Sequence, residues 1–341
     1  MKVLVTGTAG FIGYHVAKRL LEEDHEVTGL DNLNSYYSIE LKKGRLQEAG
    51  IELPFGDTGF KGVQSSRYDS YTFHKADLNN RQQVEEIFSR ESFDAVIHLA
   101  AQAGVRYSLE NPHTYIESNV TGFLHILEGC RHSKIDHLIY ASSSSVYGDN
   151  EEVPFKTSHR VDKPVSLYAA TKKANELMGH TYSHLYNIPA TGLRFFTVYG
   201  PWGRPDMAYF KFAELMRAGK PIDIYNNGEM YRDFTYIDDI VESITRLVPK
   251  PPAVNGDVPH QLFNIGHGSP VNLMEFIEIL EKHLGMEAQK NFLPMQPGDV
   301  PRTWADTEDL FSYIDFRPKV ALDQGIGDFV KWYKKDWVGD S

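Results

Sequence analysis

One cysteine, Cys130, in 341 residues removes a whole set of possibilities. A disulfide within the chain needs two cysteines, and multi-cysteine zinc or iron–sulfur sites need more. No apolar run approaches the ~18 residues that read as a membrane span. The opening MKVLVTG reads as a strand, with no room for the charged and apolar regions of a secretory signal. Positive charge is in deficit, with 35 Lys and Arg against 46 Asp and Glu and a formal charge of −11. Such a surface repels polyphosphate backbones, so nucleic-acid binding is not expected; an anionic small ligand would need a local cluster of Arg or Lys. A cytoplasmic globular protein is expected, with 41% hydrophobic residues and length enough for one large or two ordinary domains. A core of that size needs no disulfide or metal staple.

The first half alternates short β-branched apolar runs with longer helical patterns. Strands are expected over 2–6, 26–30, 72–75, 95–99, 137–141 and 190–195. Helices are expected over 11–23, 81–90 and 165–186, and from Pro112 to about Cys130, where Asn111 can cap and Pro112 suits the first helical position. Such alternation requires crossovers between parallel strands, with helices on both faces of one sheet. The near-continuous apolar strands AVIHLA and HLIYA fit a sheet covered on both sides. The fold class is therefore α/β, a doubly wound parallel (Rossmann) sheet. Residues 34–70, rich in Tyr, Gly, Ser and charge, read as a surface insertion. Beyond about residue 200 the pattern is irregular, with helices near 209–218, 239–247 and 273–284, short strands at 222–225 and 261–265, and Pro and Gly clustered at 249–259 and 294–301. This predicts a smaller, mixed C-terminal lobe.

The strongest local signal is Gly7-x-x-Gly10-x-x-Gly13, between the first strand and the first helix. Gly7 permits a tight turn, Gly10 lets a pyrophosphate approach the backbone, and Gly13 allows close helix–sheet packing. Phe11 and Ile12 then open a helix whose N-terminus faces phosphate charge. Asp31 ends the second strand, 24 residues beyond Gly7. A carboxylate there accepts from ribose hydroxyls and repels a 2′-phosphate, which favours NAD over NADP; the plainer alternative is a turn residue before Asn32. Residues 1–175, with most of 176–200, are then expected to bind NAD, and about 201–341 to bind substrate, with segments interleaving.

Tyr168-Ala-Ala-Thr-Lys172 places a phenol and an ammonium on one helix face. A free phenol titrates near 10, so a tyrosine base at neutral pH needs a neighbouring cation; a shift of about three units corresponds to roughly 4 kcal/mol. The same spacing also arises as an ordinary surface pair. The strand at 137–141 runs into Ser142-Ser143-Ser144-Ser145, 25 residues upstream of Tyr168 counted from Ser143. Ligands bind outside the carboxyl ends of such strands, so these hydroxyls are expected to face a pocket; otherwise they form a serine-rich turn.

GxxGxxG with Tyr-x-x-x-Lys and the upstream serine resembles the extended short-chain dehydrogenases/reductases of the NAD-dependent epimerase/dehydratase family, along nearly the whole chain. The resemblance implies that Ser143 hydrogen-bonds the reacting sugar oxygen, that Asn32, Asp77 and Leu78 lie at the adenosine, that Leu99, Ala100 and Ala101 line the middle of the cofactor, and that the Phe195 backbone faces the nicotinamide amide. It also implies a UDP-sugar substrate, with Arg232 on the diphosphate and Asp299 on the uridine ribose. A guanidinium suits the first role because its planar fork binds two phosphate oxygens; the alternative for Arg232 is a salt bridge to Asp233 or Asp238. Dehydratases and decarboxylases of this branch resemble Thr-Asp-Glu and Thr-Ser-Glu where this chain has Ser143-Ser144-Ser145, which leaves no carboxylate there and points to a C4 epimerase.

The segments Asp31 to Tyr37, Thr197 to Met207, and Met295-Gln296-Pro297-Gly298-Asp299-Val300 are similar to UDP-glucuronate 4-epimerases. The resemblance implies reversible conversion of UDP-glucuronate to UDP-galacturonate. In that cycle Tyr168 takes the O4′ proton with help from Ser143, hydride passes to NAD⁺, and the 4-keto sugar turns over before both return. Thr197, Arg204, Ser144 and Ser145 are the candidates to hold the sugar carboxylate, although Arg204 can equally pair with Asp206. Arg302, near Asp299, is either a further phosphate contact or exposed. Alternatives are a UDP-glucose/UDP-galactose 4-epimerase and, with less support, a UDP-glucuronate decarboxylase. A homodimer built on helices around 112–130 and 165–186 is expected.

Overall fold

The computed structural model describes residues 1–53, 62–253, 258–296 and 300–339. In chain order the first elements are β1 (Lys2–Thr6), α1 (Phe11–Glu22), β2 (Glu26–Asp31), α2 (Ile39–Glu48), β3 (Val63–Gln64), β4 (Tyr71–Lys75), α3 (Arg81–Arg90) and β5 (Ala95–His98). Then come the short α4 (Tyr107–Glu110) and α5 (Pro112–Tyr115), followed by α6 (Gly122–Ser133), β6 (His137–Ser143), α7 (Leu167–Tyr186) and β7 (Ala190–Phe195). The remainder is β8 (Thr197–Tyr199), α8 (Ala208–Arg217), β9 (Ile222–Ile224), β10 (Tyr231–Tyr236), α9 (Ile237–Leu247), β11 (His260–Ile265), β12 (Pro270–Asn272), α10 (Leu273–Leu284), β13 (Lys290–Phe292), α11 (Glu308–Ile314) and α12 (Leu322–Trp332).

Eight strands form the main sheet, in the order β11-β7-β6-β5-β1-β2-β4-β3. β1 pairs in parallel with β2 and β5, β2 with β4, and β5 with β6, whereas the two-residue β3 runs antiparallel to β4. The chain winds outward from β1 through β2 and β4, then returns to the other side of β1 with β5. That reversal is the switch point at which doubly wound sheets bind ligands. Val3, Leu4 and Val5, consecutive in β1, are all fully buried. Successive side chains point to opposite faces, so both faces are covered, as parallel strands require. On one face Val84, Ile87 and Phe88 of α3 and Phe123, Ile126 and Leu127 of α6 join a core with Leu4, Val96 and Leu138.

Two expectations need correction. Residues 34–70 are not merely a surface insertion, because α2 within them buries Leu41, Lys42, Arg45 and Leu46. Its cap is Ser38, whose hydroxyl accepts from Leu41 N–H at 3.4 Å. The helix expected from Pro112 to Cys130 forms and reaches Ser133, but it is not α-helical throughout. Pro112 does occupy the first position of α5, but the Asn111 side chain donates to Tyr107 Oη at 3.1 Å and makes no cap bond. A π-helical turn, Ile116–Thr121, then separates α5 from α6. Inside it Asn119 is buried, accepting from Gln102 N–H at 2.8 Å and donating to Gln102 O at 3.0 Å and Thr171 Oγ1 at 3.1 Å. Wide turns of this kind are rare and tend to occur near functional sites.

The chain divides into two compact units. The first comprises Met1–Asp149, Arg160–Arg194 and Val241–Phe263; the second comprises Asn150–His159, Phe195–Ile240 and Asn264–Ser341. The second is built around the sheet β12-β10-β8, with β10 antiparallel to β12 and parallel to β8, and the separate parallel pair β13-β9. Its core is aromatic: Phe234 stacks on Phe276 at 4.4 Å and Tyr209 meets Phe329 edge-on at 4.9 Å between ring centres.

Candidate active site

The glycine turn forms as its spacing requires. Gly7 has φ +78°, which favours glycine, and an added Cβ would lie 2.9 Å from Ala100 N. A Cβ on Gly10 would also come within 2.9 Å of the Gly7 carbonyl oxygen, and one on Gly13 would collide with that atom. α1 then starts at Gly10 with no side-chain cap and no acidic residue in its first turn. Its N-terminal N–H groups at Phe11 and Ile12 thus keep the donor character that suits a diphosphate. Asp31 is nearly buried at the end of β2; Oδ1 accepts from Leu33 N–H at 2.8 Å and Oδ2 from Ala9 N–H at 3.2 Å. Asn32 donates to Asp77 Oδ2 at 3.1 Å, so two residues expected at the adenosine are hydrogen-bonded to each other. Leu78 is buried, and Leu99, Ala100 and Ala101 follow β5 beside the Gly7 turn. Turn, bare helix start and carboxylate together fit NAD.

A second cluster joins the start of α7 to the end of β6. Ser166 caps α7 by accepting from Ala169 N–H at 3.1 Å, which places Tyr168 in the first turn. The Tyr168 ring is partly exposed and meets Tyr115 edge-on, 6.0 Å between centres. Lys172, one turn later, is 2% exposed and donates from Nζ to Ala141 O at 2.9 Å. Burial draws its pKa down to about 8. Burial, and secondly the Lys172 charge, holds the nearby His98 at about 3, so that imidazole is neutral throughout the working range. Ser143, two residues beyond Ala141, is nearly buried; its hydroxyl donates to Ser145 Oγ at 3.1 Å and accepts from Ser145 N–H at 3.2 Å. Ser144 and Ser145 are partly exposed.

Behind this cluster lies a buried ion pair that sequence reading missed. Arg194 and Glu176 are 1% and 2% exposed, and their bidentate contacts measure 2.8 and 2.9 Å. Ser142 donates to Glu176 Oε1 at 2.7 Å, and Arg194 also donates to Tyr147 Oη at 3.0 Å. Burial opposes the ionised Glu176, but Arg194 and Ser142 outweigh it and hold the carboxyl below its ordinary value. The available signal was spacing: Glu176 follows Lys172 by four residues and Tyr168 by eight, on one helical face.

In the second unit, Arg232 is the second residue of β10 and donates to the carbonyls of Tyr231 (2.9 Å) and Pro301 (3.3 Å). Its suggested partner Asp233 is fully buried and accepts from the backbone N–H groups of His267, Gly268 and Ala305 at 2.8–3.0 Å. Burial raises the Asp233 pKa and those three donors oppose the rise. Arg204 follows its alternative reading: Nε and Nη2 hold Asp206 at 3.0 and 2.5 Å. Thr197 is partly exposed at the start of β8, opposite Phe234, and Phe195 is buried at the end of β7. Arg302 is exposed, its guanidinium 4.8 Å from the centre of the Tyr231 ring. Asp299 lies outside the described residues. Among the described residues no group of His, Cys, Asp and Glu could hold a metal ion, and no helix is long and apolar enough to cross a membrane.

A doubly wound sheet with a glycine turn, a ribose-type carboxylate and a Tyr–Lys helix against a serine-bearing strand end defines a dinucleotide-dependent enzyme. The chain belongs to the NAD dependent epimerase/dehydratase family, whose model matches residues 3–266. It is 54% identical to Protein CapI of Staphylococcus aureus over 345 residues, covering 98% of both chains. It is 47% identical to a probable UDP-glucuronate 4-epimerase of Rhizobium meliloti over 353 residues, covering 99% of this chain and 98% of the other. Among solved structures, UDP-glucuronic acid 4-epimerase of Bacillus cereus in complex with UDP-glucuronic acid and NAD superposes with a TM-score of 0.85, at 33% identity over 98% of this chain and 99% of that one.

Proposed function

We infer that the protein interconverts UDP-glucuronate and UDP-galacturonate by inverting C4 of the sugar through a transient 4-keto sugar, with NAD as resident cofactor. The relatives and the Bacillus cereus complex support the substrate and cofactor. The observation that carries the reaction type is the end of β6, where Ser143, Ser144 and Ser145 offer hydroxyls and no carboxylate beside the anchored Lys172. Dehydration or decarboxylation would call for an acid there to move a second proton.

Bound NAD supplies the hydride acceptor for C4′ and the donor for its return. In this reading the Tyr168 phenolate takes the O4′ proton and, as the phenol, returns it to O4′ once the turned-over ketone is reduced on its opposite face. The Lys172 charge keeps the phenolate accessible near neutral pH. Ser143 donates to the reacting oxygen. Gly7, Gly10, Phe11, Ile12 and Gly13 receive the diphosphate of the cofactor, and Asp31 its ribose. Asn32, Asp77 and Leu78 border the adenine, Leu99, Ala100 and Ala101 the middle, and the Phe195 backbone the nicotinamide amide.

For the substrate we assign Arg232 and Arg302 to the diphosphate, Asp299 to the uridine ribose, and Thr197, Arg204, Ser144 and Ser145 to the sugar carboxylate. The Arg204 fork already grips a carboxylate, that of Asp206, so the substrate takes over a geometry that the side chain can adopt. Holding the carboxylate matters because the 4-keto intermediate is a β-keto acid, which loses CO₂ when its C–C bond aligns with the carbonyl π system. Thr197→Val and Arg204→Ala are expected to slow epimerisation about tenfold each and to release UDP-pentose, read by chromatography of the nucleotide sugars. Ile116, Leu124, Leu177 and Leu185 are exposed apolar residues on the π-helical turn, α6 and α7, and we propose that a second copy of the chain covers them; sedimentation of Leu177→Glu as a monomer is the expected outcome.

The decisive experiment is product analysis after incubating the purified protein with UDP-glucuronate and no added cofactor. UDP-galacturonate is expected. Exclusive formation of UDP-pentose and CO₂, or turnover of UDP-glucose alone, would overturn the assignment.

A further inference from the structure

The segment between β2 and β4 holds two cations that a surface insertion would leave in water. Arg45 is 0% exposed and Lys42 4% exposed. Arg45 Nη1 donates to Ala9 O at 2.7 Å and to Tyr37 Oη at 2.8 Å. Lys42 Nζ donates to the backbone and side-chain oxygens of Asn34, both at 2.8 Å. The ammonium and the guanidinium lie 4.7 and 5.5 Å from the centre of the Tyr37 ring. Burying a guanidinium is costly unless it is well hydrogen-bonded, so its location calls for a reason.

The reason lies in what it grips. Ala9 stands between Gly7 and Gly10 in the turn that begins α1. Its N–H is held by Asp31 at the end of β2 and its carbonyl by Arg45 of α2. α2 thereby fixes the turn at its midpoint and brings a full positive charge within one hydrogen bond of the backbone suited to a diphosphate. The reaction returns its cofactor to the starting oxidation state each cycle, so nothing requires release. Release halfway would strand a ketone.

We propose that α2, through Arg45 and Tyr37, is a retention clamp that keeps NAD bound from one turnover to the next. The proposal rests on NAD being the resident cofactor of this site. Wild type, Arg45→Met, Arg45→Lys and Tyr37→Phe would be purified without added NAD. Nucleotide released by acid would be counted per chain, and the NAD dissociation constant of stripped protein measured by titration. Wild type is expected to retain NAD, whereas Arg45→Met loses most of it and binds at least about tenfold more weakly, with Arg45→Lys intermediate. Tyr37→Phe, which keeps the ring and every charge, is expected to weaken binding by about three- to fivefold. Arg45→Met with the wild-type NAD content and dissociation constant would overturn the clamp. Should Arg45→Met fail to fold, an unchanged constant for Tyr37→Phe overturns it instead. A wild-type protein with no affinity for NAD would sink the cofactor assignment itself, a result distinct from either.

Discussion

Two buried cations lie near the end of β6, and they are treated oppositely. Lys172 is enclosed and donates to a backbone carbonyl, Ala141 O, and burial pulls its pKa to about 8. Arg194 is equally enclosed but faces the carboxylate of Glu176 through two short contacts, which lift its pKa further above the usual value against the effect of burial. The first cation is left electrostatically unsatisfied and available to a neighbouring phenol. The second is neutralised and holds the scaffold. α7 uses both on adjacent residues of β6: Lys172 reaches Ala141, and Glu176 accepts from Ser142. A reactive group needs its energy uncompensated, and a positioning group needs the reverse.

The sharpest way to break the contrast is to remove one member of each. Lys172→Met is expected to lower kcat on the order of 10³-fold, with a melting temperature unchanged or higher, because an unneutralised buried charge is gone. Glu176→Ala should do the opposite, costing about 3–5 kcal/mol of stability in denaturant titration because Arg194 is left buried and uncompensated. Equal stability losses in the two variants would erase the distinction.

The pH dependence tests the same point more gently. Lys172 titrates near 8 in the folded protein and near its ordinary 10.5 when unfolded. Between these values the unfolded chain binds more protons, so this group makes stability rise with pH from about 8 to 10.5, and the gain is lost as pH falls back through 8. Activity should run the other way, since neutral Lys172 no longer supports the phenolate. A pH–rate profile is expected to fall on its alkaline side with an apparent pKa near 8, and residual activity in Lys172→Arg should lack that limb. The smallest effect is expected from Ser142→Ala, which removes the Glu176 contact but leaves the ion pair: about 1 kcal/mol of stability and a several-fold loss in kcat with KM little changed.

The dinucleotide half of the site was legible because its constraints are steric and local. Gly7, Gly10 and Gly13 stand where a Cβ meets backbone, and Asp31 ends a strand whose apolar run is plain. That the strands run parallel, with helices on both faces, followed from the alternation of elements; their order did not. α2 was hidden because its inward face includes Lys42 and Arg45, and buried cations look like solvated ones in a string of letters. The role of Asp233 was hidden in the same way: it stood only as an alternative partner for Arg232, while its actual partners include three backbone N–H groups from residues 34 to 72 positions away. The π-helical turn leaves no mark in hydrophobic periodicity, since Asn119 is polar yet buried.

That turn carries a consequence for how the chain tolerates insertions and deletions. A π-helical turn is a helical turn that has taken up one extra residue, so removing one residue from Ile116–Thr121 would rewind it to ordinary helix and leave the helix beyond it facing nearly as before. Gly122, packed on the Leu78 side chain, and Gly129, packed on the Phe88 ring, would keep those contacts, whereas Asn119 would lose the widened turn that aims it at Gln102 and Thr171. A single-codon deletion at residues 116–121 should therefore cost activity before it costs stability, read as a fall in kcat with little change in melting temperature. The same deletion within α6 would rotate its apolar face by about 100° and unfold the protein.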